Sequence, residues 1–189
     1  MSKMAASISP TPAMSKTIQP MVPAREWRNG LSAAASATPD ELTLFAGRLF
    51  FRACDLVAGC ELFTTDGTAA GTTLFKDLWP GFESGAPRNL TVAGEWLFFT
   101  ACNDTAGCEL WRSDGTAEGT RRVSDIAPGV LSSNPDNSVN VRRTFAIYDD
   151  IVFFRANDGT GVELWAYPIH LFRDGFESQS TTAWSATVP

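Results

Sequence analysis

Residues 61–72 read ELFTTDGTAAGT and residues 109–120 read ELWRSDGTAEGT. Two near-copies 48 residues apart decide the architecture before any local reading, because a fixed period means that one small structural unit is repeated. The Glu-Leu-aromatic triplet returns a third time at Glu163-Leu164-Trp165, 54 residues after the second. Working outward, LFFRAC (49–54), LFFTAC (97–102) and VFFRAN (152–157) precede the triplets, while LFKDLWPG (74–81) and RVSDIAPG (122–129) follow the first two. The third unit carries extra residues around SVNVRRT (138–144) and lacks the DGTxxGT string after Trp165, passing through AYPIH (166–170) to LFRDGFES (171–178). Insertions and deletions therefore fall between the strands.

Inside one unit every regular segment reads as a strand. LTLFAG, RLFFRA, ELFTTD and TTLFKDL are short runs of aromatic and β-favouring residues, cut by Gly47, the 54–60 loop, Asp66-Gly67 and Pro80-Gly81. The adjacent pairs Phe50/Phe51, Phe98/Phe99 and Phe153/Phe154 place one ring on each face of a strand, so both faces of each sheet must be covered. The expected fold is all-β: tandem four-stranded antiparallel blades of β-propeller type, in three units at about 39–86, 87–134 and 135–178. Closed propellers typically have four to eight blades, so the expectation is an incomplete propeller, part of a longer protein or an open stack with capped ends. Residues 1–38, rich in Ala, Ser and Pro, and residues 179–189 are expected to be disordered, with AREWRNG (24–30) available to cover an exposed end.

Composition fits a folded chain and limits its partners. Of 189 residues, 44% are hydrophobic and 19% charged, enough apolar surface to offset the entropy of ordering a core. The formal net charge of -6 argues against nucleic acid and anionic lipid, and Arg121/Arg122 and Arg142/Arg143 are isolated pairs. No window approaches the roughly 18 apolar residues of a membrane-spanning helix. The N-terminal segment is broken by Pro10, Pro12, Pro20 and Pro23 and does not read as a secretory signal.

The strings ELFTTDGTAAGT and ELWRSDGTAEGT resemble the repeat of bacterial ELWxxDGT-repeat proteins over residues 39–174. That resemblance implies a secreted or surface-associated protein of propeller-like repeats with no assigned enzymatic reaction. LFRDGFES is similar, over a short stretch, to a C-terminal tail of secreted proteins from some gamma-proteobacteria.

The four cysteines occupy equivalent places, Cys54 and Cys60 around one hairpin loop and Cys102 and Cys108 around the next. In the third unit both positions change together, to Asn157 and Val162, which favours the pairings Cys54–Cys60 and Cys102–Cys108. Each short loop gives a bridge worth about 2 kcal/mol. A zinc site and free core thiols are the rival readings. The C-x5-C spacing without a nearby histidine disfavours zinc, and disulfides imply an oxidising compartment, outside the cell or at its surface. The absent signal is then expected to reflect a truncated or misassigned start.

Catalytic chemistry finds little support. His170, the single histidine, has no nucleophile placed beside it. Glu61, Glu109 and Glu163 recur in every unit, whereas an acid or base is needed once per site. A structural role is expected for them, accepting hydrogen bonds from the neighbouring loop or pairing with Arg52 and Arg155. In the turns, Asp66, Gly67, Thr68, Gly71 and Thr72, and likewise Asp114, Gly115, Thr116, Gly119 and Thr120, supply a complete turn mechanism of acceptor, positive-φ glycine and hydroxyl. The motif is similar to the Asp-box turn of sialidase-type propellers, with different spacing. Weak calcium binding at Asp66 and Asp114 is the functional alternative, limited by one carboxylate per turn.

The leading expectation is a non-enzymatic protein that presents loops to a protein or carbohydrate partner, with an aromatic shelf at Trp79 or Trp96 as the sugar-binding signal. A spacer segment without its own ligand and a propeller-scaffold hydrolase or lyase are the alternatives. Self-association through exposed sheet edges is also expected.

Overall fold

The computed structural model describes residues 38–135 and 145–169. Among them every regular element is a β-strand, and the strands form three antiparallel sheets. The first contains β1 (Asp40–Phe45), β2 (Arg48–Asp55), β3 (Gly59–Thr65) and β4 (Thr73–Lys76), each paired with its sequence neighbour. The second repeats this order with β5 (Arg88–Ala93), β6 (Trp96–Asn103), β7 (Gly107–Ser113) and the two-residue β8 (Arg121–Arg122). The third holds β9 (Ala146–Tyr148), β10 (Ile151–Asn157) and β11 (Val162–Pro168). The expected last strand of that unit, with His170, lies outside the described residues, as do the expected disordered flanks apart from Thr38, the AREWRNG segment and the 138–144 insertion. No helix among the described residues is long and apolar enough to cross a membrane.

Equivalent turns set equivalent registers. Phe45 pairs with Arg48, Ala93 with Trp96 and Tyr148 with Ile151, so each first hairpin closes through two residues. Ala46 and Gly47 both have positive φ, the conformation whose twist matches the flanking strands. Upstream, the registers β1–β2 and β5–β6 both slip, between Asp40 and Thr43 and between Arg88 and Thr91, around Glu41 and Asn89 at φ 57°.

The paired phenylalanines separate into two successive joints. Phe50 and Leu62 of the first sheet pack against Leu97, Phe99, Ala101 and Trp111 of the second. Phe98 and Leu110, on the opposite face of the second sheet, pack against Val152, Phe154 and Ala156 of the third. Each joint therefore sets a Phe/Leu face against the following sheet's Leu/Val–Phe–Ala face, and the sheets stack in chain order. On the outer side of the first sheet, Phe51, Ala53 and Phe63 form a third buried cluster. Side-chain–backbone bonds join the first joint at β1 and β5, where Thr43 Oγ1 donates to the Leu90 carbonyl at 3.2 Å.

Candidate functional site

The strand directions give the stack two chemically different ends. At the linker end lie the β2–β3, β6–β7 and β10–β11 hairpins and the segments that lead to the next sheet; at the turn end lie the two-residue hairpins and the DGT loops.

Cys54 stands opposite Cys60 across the β2–β3 hairpin and is bonded to it, and Cys102 is bonded to Cys108 across β6–β7. No free cysteine remains among the described residues. The third hairpin sets Asn157 opposite Val162. Its tip is Asp158-Gly159-Thr160, a DGT string in a place where the other units carry the cystine loop. Thr160 donates its amide and hydroxyl to Asp158 Oδ1, at 2.8 and 2.7 Å, so a self-contained aspartate turn stands where a covalent clasp is missing. Sequence reading that follows only the spacing after the Glu-Leu-aromatic triplet misses this turn; the string itself is its signal.

Glu61 and Glu109 are fully buried at the start of the third strand of their sheets. The Glu61 carboxylate accepts the amides of Leu78 (2.7 Å) and Gly85. Glu109 accepts the amides of Ile126 (3.2 Å), Ala127 (3.3 Å) and Ser133 (3.1 Å) and the Ser133 hydroxyl (2.6 Å). Both carboxylates thus gather the two ends of the linker that leads to the next sheet. The linker also binds the hairpin it crosses: Ser84 Oγ accepts the Cys60 amide and Ser132 Oγ the Cys108 amide. It then reaches forward, with the Gly85 carbonyl accepting the Cys102 amide (2.8 Å) and the Ser133 carbonyl accepting the Asn157 amide (2.9 Å). Burial pushes Glu61 up to about 7 against the opposing pull of its amide donors, and burial likewise raises Glu109.

The loop-acceptor role expected for the recurrent glutamates is what the first two perform, while the arginine pairing expected as its alternative is not formed. Arg52 pairs with Asp40 on the neighbouring strand. Glu163 is exposed, and its cross-strand neighbour is Ala156, with Arg155 one position along opposite Leu164.

At the turn end the two DGT loops are nearly superimposable in their bonds. Asp66 Oδ1 accepts the amide and hydroxyl of Thr68, whose own Oγ1 accepts the Gly71 amide; Thr72 Oγ1 donates to the Thr68 carbonyl and accepts from Thr65 Oγ1. Asp114, Thr116, Gly119, Thr120 and Ser113 repeat the pattern. The threonine hydroxyl and amide hold Asp66, Asp114 and Asp158 below the usual carboxylate range. Gly67 and Gly115 have φ of 93° and 94°, and a Cβ on Gly71 or Gly119 would collide with the aspartate carboxylate. The carboxylate oxygen considered for calcium is thus engaged inside its own turn. Among the described residues no three His, Cys, Asp or Glu side chains gather as metal ligands.

The loops differ in surroundings. Gly67 faces open space, whereas a Cβ on Gly115 would stand 3.2 Å from Ala46 Cβ, and Lys76 Nζ of the first sheet donates to the Ala117 carbonyl. The second DGT loop is therefore part of the joint between sheets. Beside it runs an open cleft of about 820 Å³, lined on its apolar side by Leu44, Phe45, Val92 and Trp96 and on its acidic side by Glu95 and Asp114. Trp96 is not a bare shelf: the Arg112 guanidinium lies 4.0 Å over its ring and donates to Tyr167 OH.

Comparison of the chain with protein-family models, curated proteins and solved structures gives no significant match in any of the three.

Proposed function

We propose that this chain is a non-enzymatic, extracytoplasmic repeat protein of propeller type, akin to the bacterial ELWxxDGT-repeat proteins, that presents its turn end to a protein or carbohydrate partner. The observation that carries this reading is the division of labour between the ends. The recurrent carboxylates at the linker end are buried and bonded to backbone amides, so they hold chain rather than meet a substrate. The turn end instead offers a concave, mixed surface in which Leu44 and Val92 are exposed beside Glu95 and Asp114. Two cystines, each closing a hairpin, favour an oxidising location.

A glycan array together with a panel of secreted proteins tests the reading on the purified full chain. Binding is expected, and it should be lost when Leu44→Glu and Glu95→Lys are combined at the cleft. Binding that ignores both changes would move the partner elsewhere. The self-contained DGT turns favour a second reading, a spacer without its own ligand, which a blank result on both panels would support.

A further inference from the structure

The cleft at the turn end lies between equivalent hairpin tips of the first two sheets, Ala46-Gly47 on one side and Gly94-Glu95 on the other. Its walls differ in chemistry. Leu44 and Val92 present aliphatic surface, 72% and 38% exposed. On the acidic wall Glu95 is exposed and has no hydrogen-bond or ion-pair partner among the described residues, and Asp114 gives only Oδ1 to its turn. The Thr116 hydroxyl and amide hold Asp114 below the usual carboxylate range, so it is charged at neutral pH. No basic side chain lines the cleft. Arg48 donates to the Gly71 carbonyl at 3.2 Å, Lys76 donates to the Ala117 carbonyl at 3.1 Å, and Arg121 acts on Asp114 from β8 without reaching the lining.

The second joint shows what the fold does with a comparable place. There the chain supplies its own cation, Arg112, held over the Trp96 ring and bonded to Tyr167 of the next sheet. In the first sheet the register position of Arg112, opposite the first phenylalanine of the pair, belongs to Thr64, a buried side chain without charge. The first joint therefore has two acids and an aliphatic wall, and no cation of its own to meet them. With Arg112 already stacked on Trp96, the surface left for a visitor is aliphatic, which suits a methylene stem better than the face of a sugar ring. We propose, on the reading of the turn end as a partner-binding surface, that the occupant of the cleft is a peptide segment of a protein partner that carries lysine or arginine beside an aliphatic residue. The basic head meets Glu95 and the Asp114 oxygen that the turn leaves unused, while its stem and the aliphatic neighbour lie along Leu44 and Val92.

Amide shifts of the isotope-labelled full chain test this with two capped octapeptides, Gly-Ser-Leu-Lys-Leu-Lys-Ser-Gly and its counterpart with glutamate in place of lysine. The lysine peptide should move the amides of Gly47, Gly94 and Glu95 and bind more weakly as salt rises, and the glutamate peptide should leave them in place. Glu95→Gln should weaken lysine-peptide binding about 3-fold and Leu44→Ser about 5-fold, both on exposed side chains whose loss does not touch the core. Val130→Ser, equally exposed at the linker end, should change nothing. Equal binding of the two peptides, or shifts confined to other amides, would overturn this choice of occupant. A neutral glycan or an acidic protein that moves the same amides where the lysine peptide does not would also overturn it, yet would leave the partner-binding surface standing. A cleft that answers to none of these probes would sink both readings together.

Discussion

The two linkers, residues 77–87 and 125–135, perform one task with different atoms. Both start at a buried glutamate, cross a disulfide hairpin and hand a carbonyl to the next sheet, with partners at the same 24-residue separations. At the position facing the carboxylate the first linker has Gly85 and the second Ser133. Serine contributes an extra bond, from its hydroxyl to Glu109. Glycine cannot, yet it lets the chain come so close that an added Cβ would lie 2.5 Å from Leu78 Cβ and 2.6 Å from Glu61 Oε2. One latch is satisfied by donors and the other by proximity. The difference accounts for the one hydroxyl partner that Glu109 has and Glu61 lacks in an equally buried setting.

The largest effect should come from removing the anchor itself. Glu109→Ala leaves three buried amides and a hydroxyl without their acceptor, and urea unfolding should register a loss of about 4 kcal/mol. Retention of full stability would show that water or another group takes over the amides, ending the latch account.

Next is pH. Glu61 titrates near 7 when folded and near 4.5 when unfolded, so between these values the folded chain holds a proton that the unfolded chain releases. Its contribution is complete below 4.5 and is lost as pH rises through 7, by about 3 kcal/mol. Stability measured by thermal melts should fall across that window, and Glu61→Gln should flatten the fall. A profile that rises instead would mean that the amide donors outweigh burial.

Exchange of the two latches comes third. Gly85→Ser puts the second linker's residue into the first and should cost about 2 kcal/mol because no room exists for its Cβ, whereas Ser133→Gly should cost about 1 kcal/mol for the lost hydroxyl bond. Equal tolerance of both would show that the two latches do not differ in how they are held. The smallest effect separates the two DGT loops. Valine is strained at Gly67 and Gly115 alike by positive φ, but at Gly115 it also meets Ala46, so Gly115→Val should be worse than Gly67→Val by about 1 kcal/mol in chemical denaturation.

Much of the architecture was legible because it is periodic. The spacing of the Glu-Leu-aromatic triplets placed the three sheets, and the joint loss of two cysteines in the third unit pointed to the cross-strand pairing. The doubled phenylalanines foretold the covering of both faces in the first two sheets but not in the third, where Phe154 is buried while Phe153 is half-buried and its face-mate Leu164 exposed. The linkers were less readable. Their residues form no regular strand, so a period-2 pattern passes over them, and Ser133 or Gly85 acquires meaning only when a glutamate 24 residues earlier is seen underneath. Which face of a sheet is packed is equally hidden: Leu164 and Leu110 occupy the same place in the pattern, yet among the described residues only Leu110 has a following sheet packed over it. The short β8 has a cause that the sequence does carry, since RRVSD (121–125) offers one apolar side chain where TLFKD (73–77) offers two to hold a fourth strand.

The carbonyl that each linker extends to the following sheet marks where the natural unit of duplication begins and ends. A copied segment of this length brings its own strands, its own glutamate and the connector that grips its successor. Such a gene segment can be multiplied or deleted in whole steps without redesign of any junction, because every junction travels inside the copy that makes it.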